Sequence, residues 1–287
     1  LLEAVNVTKY YNSLCALKDV SFRIEEGEIV SFLGPNGAGK STLFHILVGL
    51  LRNYTGDVFY KSRKVFPFKD RGYRSIVGFV PQATFLEREL TVEENLRIGA
   101  LLYGVKNHRE VVDSFLRRFD LFELKDRKVE HLSGGMKRKV VIVKSMLHRP
   151  RLLFLDEPTT GLDVNVRHDI WNLLIRISKE ESVTVVISTH YMEEAESLSD
   201  RVFIMNRGSI VVDGRPEELK SLVGRYVVEE STAKGMIRRY FDSKDDAIRF
   251  MNDRGMEAST IRLREVSLED VFIKVTGENE RDSSNLL

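Results

Sequence analysis

One cysteine, Cys15, and one glutamine, Gln82, occur in 287 residues. A lone cysteine excludes an internal disulfide framework and a cysteine zinc cluster. Long hydrophobic runs are also missing. The longest, around Phe44 to Leu51, is about eight residues, against the roughly 20 a helix needs to cross a bilayer. The first residues carry no signal-peptide pattern, no segment repeats, and no heptad is sustained. Net charge is only +1, from 44 basic and 43 acidic residues. That balance gives no electrostatic basis for bulk nucleic-acid binding. These absences lead to the expectation of a soluble, cytoplasmic protein that reaches a membrane through a partner. Charge itself is plentiful, at 30% of residues. A charge-rich composition poor in Gln and Cys leans toward a hot environment. With 43% hydrophobic residues, the chain can bury a sizeable core as one large domain, or one with an appendage.

The most informative stretch is Gly34-Pro35-Asn36-Gly37-Ala38-Gly39-Lys40-Ser41-Thr42. The apolar run Ile29–Leu33 before it reads as a buried strand, and residues 43–50 after it read as a helix. Strand, glycine loop and helix together form the context that makes G-x-x-x-x-G-K-[ST] a phosphate site. Glycines let successive backbone N–H groups curl around phosphate oxygens. The helix N-terminus adds free N–H groups and a positive dipole end. Lys40 is placed to reach β- and γ-phosphates, and Ser41 to ligate Mg²⁺.

A second buried strand, Leu152–Leu155, delivers Asp156 and Glu157 to the sheet's C-terminal edge. Asp156 fits the strand-end acid that holds a nucleotide's Mg²⁺, and Glu157 could take a proton from an attacking water. A third, Val183–Ser188, brings Thr189-His190 to the same edge. A strand at 76–80 ends at Pro81-Gln82, whose amide is a candidate for positioning water or metal. Strands over 3–8 and 18–25 precede the glycine loop. Tyr10 or Tyr11 between them could stack on an adenine ring or be a half-buried strand-end side chain.

Residues 91–149 change character. Thr91 with Glu94 makes a capping box, followed by helices to about Tyr103 and over about 108–119. Ser133-Gly134-Gly135-Met136 opens another helix, with Ser133 as N-cap. This region, about 84–149, reads as a helical insertion in an α/β core. Thr160-Gly161-Leu162-Asp163 is a tight turn before a helix over about 165–179, where Trp171 falls on the core face. A helix over 191–199, strands at 201–206 and 209–213 and a short helix at 215–223 complete the first domain. Gly224 is a candidate boundary. Residues 224–275 read as a small α+β unit: two strands, a helix (about 243–254), a strand (about 259–265) and a short helix (about 267–275). The 224–287 stretch has 11 basic and 13 acidic residues, so it is no basic arm. The tail, 276–287, is expected to be disordered.

In this order and spacing the motifs over residues 3–223 resemble the nucleotide-binding subunits of ATP-binding-cassette (ABC) transporters. The fold implied is an α/β P-loop NTPase cassette. It comprises a mixed core sheet flanked by helices, an antiparallel β subdomain and a helical subdomain, with the small α+β domain appended. The resemblance implies ATP and Mg²⁺ as cofactors. By it, Tyr11 stacks on adenine, Gln82 contacts Mg²⁺ and the attacking water, and His190 contacts the γ-phosphate. Ser133, Gly134 and Gly135 match the signature that closes on the ATP of a second cassette, and Asp163 links the two sites. Met136 departs from the family's frequent Gln, and Asn12 stands where Gly is common. The partners implied are a second cassette and separate membrane-spanning subunits, which would hold the chain on the cytoplasmic face of the membrane. Ser267-Leu268-Glu269-Asp270-Val271-Phe272 looks like the terminal motif of daunorubicin-type drug-resistance export ATPases, which implies export. Residues 83–90, with Phe85 and Leu86, are the expected docking surface for a membrane subunit. The competing reading is a soluble ABC ATPase acting on nucleic acid or ribosomes. Such relatives carry two cassettes or long coiled coils, and this chain has neither, so no nucleic-acid partner is expected.

Overall fold

The computed structural model describes residues 1–232, 235–253 and 261–277. The chain opens with a long hairpin, β1 (Leu2–Tyr11) and β2 (Leu14–Ile24). Asn12 in its turn has a left-handed backbone, φ 52°. Asparagine tolerates that region better than most residues, which lets it stand in for the expected glycine. Then come β3 (Ile29–Leu33), α1 (Lys40–Leu47), β4 (Thr55–Tyr60), β5 (Arg63–Val65), α2 (Arg71–Arg74) and β6 (Val77–Val80). The short β5 and α2 carry too few residues to show a periodicity in the sequence. The helical segment holds α3 (Val92–Leu102), α4 (His108–Arg118) and α5 (Gly134–Met146). The capping box of Thr91 and Glu94 is present, as is the Ser133 N-cap, whose Oγ accepts from the Met136 N–H at 3.3 Å.

The chain returns to the core through β7 (Leu152–Asp156), α6 (Val164–Glu181), β8 (Thr184–Thr189), α7 (Met192–Leu198), β9 (Arg201–Asn206), β10 (Ser209–Gly214) and α8 (Pro216–Ser221). Six strands form the main sheet in the order β10-β9-β3-β8-β7-β6, parallel except for β10 at one edge. Every residue of β3, β7 and β8 is buried. This is why they read as continuous apolar runs: a parallel sheet is covered on both faces.

The two-residue period of a strand divides them between two cores. Leu152, Phe154, Val186 and Phe32 pack with α1 and with the antiparallel sheet β2-β1-β4-β5. Phe44 of α1 meets Phe32 and Phe154 edge-on, at 5.8 and 5.4 Å between ring centres. Leu153, Leu155, Val185 and Ile187 pack on the other side with α5 and α6. Four neighbouring parallel strands, β3, β8, β7 and β6, therefore end at one edge, the position where open α/β sheets bind ligands.

The appended unit is β11 (Tyr226–Thr232), β12 (Gly235–Phe241), α9 (Lys244–Asp253), β13 (Ile261–Glu265) and α10 (Leu268–Thr276), its sheet ordered β12-β11-β13. Its apolar side is completed by the first domain. Val227, Val266, Leu268, Val271 and Phe272 share one cluster with Ala195, Val202, Ile204 and Leu219. The chain turns at Gly224, but no gap in the core follows it. Thr276 ends α10 and Gly277 caps it with φ 67°, so these two residues are not part of the expected tail. The rest of that tail, 278–287, and the start of the expected 259–265 strand lie outside the described residues.

Candidate functional site

The glycine loop leaves β3 and turns into α1 at the shared sheet edge. Gly34 and Ala38 are buried behind it, Pro35 is half-buried, and Asn36 and Gly37 are exposed. Gly39 is the N-cap of α1 with φ 101°, and a Cβ there would stand 2.7 Å from the Ala16 carbonyl oxygen. Conformation and close approach both require glycine at this position. An open cleft of about 280 Å³ is lined by Asn36, Gly37, Gly39, Lys40, Ser41 and Thr42, with Glu157 and Tyr11 across from them. Of the two tyrosines considered, Tyr11 faces this cleft. Leu14 and Cys15 line it beside Tyr11.

Lys40 is buried, and its Nζ donates to the carbonyls of Gly34 (2.6 Å) and Pro35 (3.0 Å). Burial lowers its pKa, and the charges of Glu157 and Asp156 oppose that shift. Ser41 Oγ donates to Asp156 Oδ1 at 3.2 Å, and Ser188 Oγ donates to the same oxygen. A hydroxyl and a carboxylate meeting at the phosphate end of the loop suit Mg²⁺. That ion takes one or two protein oxygens and leaves its other positions to water and phosphate. Among the described residues no group of three or more His, Cys, Asp or Glu could hold a metal by itself.

Glu157 follows Asp156 with φ 46°. Its Oε2 accepts from Gln82 Nε2 at 3.2 Å and from Thr160 Oγ1 at 2.9 Å, and its Oε1 lies 3.3 Å from His190 Nδ1. Gln82, Asp156, Glu157 and His190 thus meet the glycine loop at one edge. A carboxylate hydrogen-bonded by an amide, with an imidazole beside it and facing the glycine loop, can accept a proton from water.

Ser133, Gly134 and Gly135 do not join this group. Ser133 and Gly135 line a different cavity, of about 520 Å³, with Met136, Val166 and Ile170. The two linings share no residue. A Cβ on Gly135 would stand 2.2 Å from Val166 Cγ1, so glycine lets α5 lie against α6. Asp163 is exposed at the start of α6.

Two further residues escape sequence reading. Arg138 of α5 is buried. It donates to four carbonyl oxygens: Pro81 (2.7 Å), Gln82 (3.3 Å), Asp156 (3.0 Å) and Pro158 (2.8 Å). Burial lowers its pKa to about 10, against the charges of Asp156 and Glu194. One guanidinium of the signature helix therefore ties the Gln82 and Glu157 segments together. In sequence it is the middle of Lys137-Arg138-Lys139, which reads as a solvated basic run. Glu194 is buried as well, although Glu193-Glu194 reads as an ordinary acidic first turn.

The family description "ABC transporter" matches residues 17–160. Nod factor export ATP-binding protein I of Rhizobium etli is 35% identical over 295 residues, covering 95% of this chain and 92% of that protein. Daunorubicin resistance ATP-binding protein DrrA3 of Streptomyces coeruleorubidus is 31% identical, covering 95% of each. Among solved structures, the dimeric post-hydrolysis state of the ATP-binding cassette MJ0796, bound to ADP and Pi, superposes with a TM-score of 0.66. It is 29% identical, over 75% of this chain and 98% of that one.

Proposed function

This chain belongs to the ABC transporter family of ATP-binding, ATP-hydrolysing subunits, and from that premise we propose that two cassettes close head to tail on ATP and power export through separate membrane-spanning subunits. Adenine stacks on Tyr11, and the phosphates lie in the loop from Gly34 to Thr42, with Lys40 on the β- and γ-phosphates. Ser41 and Asp156, with Gln82, hold Mg²⁺, which supplies charge neutralisation on the phosphates when bound. Glu157 takes the proton of the attacking water, His190 contacts the γ-phosphate, and Gln82 orients the water.

The observation that carries the head-to-tail reading is the separation of Ser133 and Gly135 from the cleft of their own chain. The N-terminus of α5 has an anion-binding character that its own nucleotide does not use. Ser133, Gly134 and Gly135 of each chain close on the γ-phosphate of the other, and Asp163 links the sites. ATP is then part of the interface, and its hydrolysis reopens the dimer. The solved dimeric cassette with ADP and Pi supports the pairing of two cassettes.

Export is supported by relatives whose names are Nod factor export and daunorubicin resistance. No helix of the described residues is long and apolar enough to cross a membrane. Phe85 and Leu102 are 70% and 80% exposed, and Leu101 is exposed beside Leu102. Leu86, by contrast, packs against the helical core. Phe85 with the end of α3 is therefore the docking surface for a membrane subunit, and the chain sits on the cytoplasmic face of the membrane through it. The test is a mild-detergent pull-down of the tagged protein from its native membranes. A stoichiometric multi-span protein is expected. Ribosomal or nucleic-acid partners with nothing membrane-bound would overturn the transporter reading.

A further inference from the structure

Beneath the Glu157 turn lies Glu194, on α7, with 0% of its surface exposed. Its Oε1 accepts two hydrogen bonds, from Thr159 Oγ1 at 2.8 Å and from Trp171 Nε1 at 3.1 Å. Burial raises its pKa, and the Thr189, Thr159 and Trp171 donors and the charge of Arg138 work against that shift. Its other oxygen, Oε2, is buried without a well-formed hydrogen bond, so the orientation of this carboxylate rests on the two bonds to Oε1, and a buried polar group is costly where such bonds are lost.

The segment above Glu194 is held at each of four consecutive residues. The Glu157 N–H donates to the Ser188 carbonyl at 3.0 Å. The Pro158 carbonyl accepts from Arg138 Nε at 2.8 Å, and the Thr160 hydroxyl donates back to the Glu157 carboxylate. Among the described residues, the Thr159 hydroxyl bonds only to Glu194. Glu157 itself is left-handed at φ 46°, a conformation unfavourable for this residue type that persists only when its surroundings enforce it.

We propose that Glu194 is a positioning residue for hydrolysis: by holding Thr159 and Trp171 together, it fixes the turn that aims the Glu157 carboxylate at the nucleotide cleft. The role rests on Glu157 acting as the base. Glu194 is fully buried and does not line the nucleotide cleft, so losing it changes turnover more than binding.

The test uses the full chain and Mg²⁺-ATP. Glu194→Gln keeps an oxygen that can accept from both donors. Glu194→Leu removes both bonds, and Thr159→Val removes only the one to the turn. Trp171 is the chain's only tryptophan, so its emission reports the Nε1 hydrogen bond directly. The expected result for Glu194→Leu and Thr159→Val is a kcat lower by about tenfold or more, with KM and ATP affinity within about twofold of the parent. Glu194→Gln restores most of the rate. The double variant Glu194→Leu/Thr159→Val is little worse than either single one, because both remove the same bond. Trp171 emission shifts in Glu194→Leu and not in Thr159→Val. Should Glu194→Leu fail to fold, Thr159→Val and Glu194→Gln carry the test. Normal turnover in Thr159→Val overturns the positioning role, as does a loss in Glu194→Leu that Glu194→Gln does not repair. Failure of the base assignment is separate, and shows as normal turnover in Glu157→Gln.

Discussion

Glu157 Oε1 and His190 Nδ1 lie 3.3 Å apart although they leave different strands, β7 and β8. The other oxygen of the same carboxylate accepts from Gln82, beyond the end of β6. The parallel sheet gathers three residues spread over more than 100 positions of sequence around one reacting centre.

Replacing Glu157 by Gln keeps the shape and the partner contacts but removes the proton acceptor. ATP binding should persist, while turnover falls on the order of a hundredfold or more. Phosphate release under saturating ATP measures the loss, and equilibrium nucleotide binding measures what is kept.

Gly135 is also a packing requirement. Gly135→Ala puts a methyl group against Val166 and should cost about 1–3 kcal/mol as overpacking. Gly135→Ala combined with Val166→Ala should recover much of that loss in thermal unfolding. An unchanged melting temperature in Gly135→Ala would contradict the close approach of α5 and α6.

The appended unit should be acid-sensitive. Asp270 is fully buried and takes Arg264 through both carboxylate oxygens, at 2.6 and 2.9 Å, with Glu229 on the same guanidinium at 2.6 Å. Burial raises the pKa of Asp270 and of Glu229. For Asp270 the hydrogen bonds of Arg264 and Ser267 outweigh it, and for Glu229 those of Arg264 and Arg238 do, so both pKa values are lowered. A lowered folded-state pKa contributes stability that is fully present above the ordinary carboxylate range of about 4 and is lost as pH falls through the folded value. Asp270→Asn should cost roughly 3 kcal/mol, the low end for a broken buried pair because Arg264 keeps Glu229. It should also flatten the acid limb. Chemical unfolding between neutral and acid pH checks both.

Phe85→Asp with Leu102→Asp should leave most of the isolated chain's ATP turnover intact and abolish recovery of a membrane subunit in the pull-down. Retained capture would remove this patch from the docking role.

The residues legible in the sequence are those whose chemistry is local. The glycine loop, the Asp156-Glu157 strand end and the Ser133 cap each combine a short motif with a flanking strand or helix, so their structure follows from neighbours. Most element ends fall within a few residues of expectation for the same reason. Arg138 and Glu194 were not legible, because their partners lie 18 to 57 and 23 to 35 positions away and neither breaks the helical pattern around it. Asp270 was visible within a motif, but its task was not. It depends on Arg264 of β13, six positions earlier, and through that guanidinium on Glu229 of β11, which the pairing of β11 with β13 brings alongside. The shared core of the appended unit was hidden similarly: Val271 and Phe272 fit an ordinary amphipathic helix, and only the fold shows that they pack against the first domain.

The measurement closest to the central claim is sedimentation of Glu157→Gln with and without ATP, alongside the same variant carrying Ser133→Arg. A nucleotide held between Lys40 of one chain and Ser133 of the other predicts a dimer only in Glu157→Gln with ATP. The Ser133→Arg form should still bind ATP but remain a monomer. A Ser133→Arg form that dimerises with ATP as readily, or a Glu157→Gln form that binds ATP and stays monomeric, would contradict it.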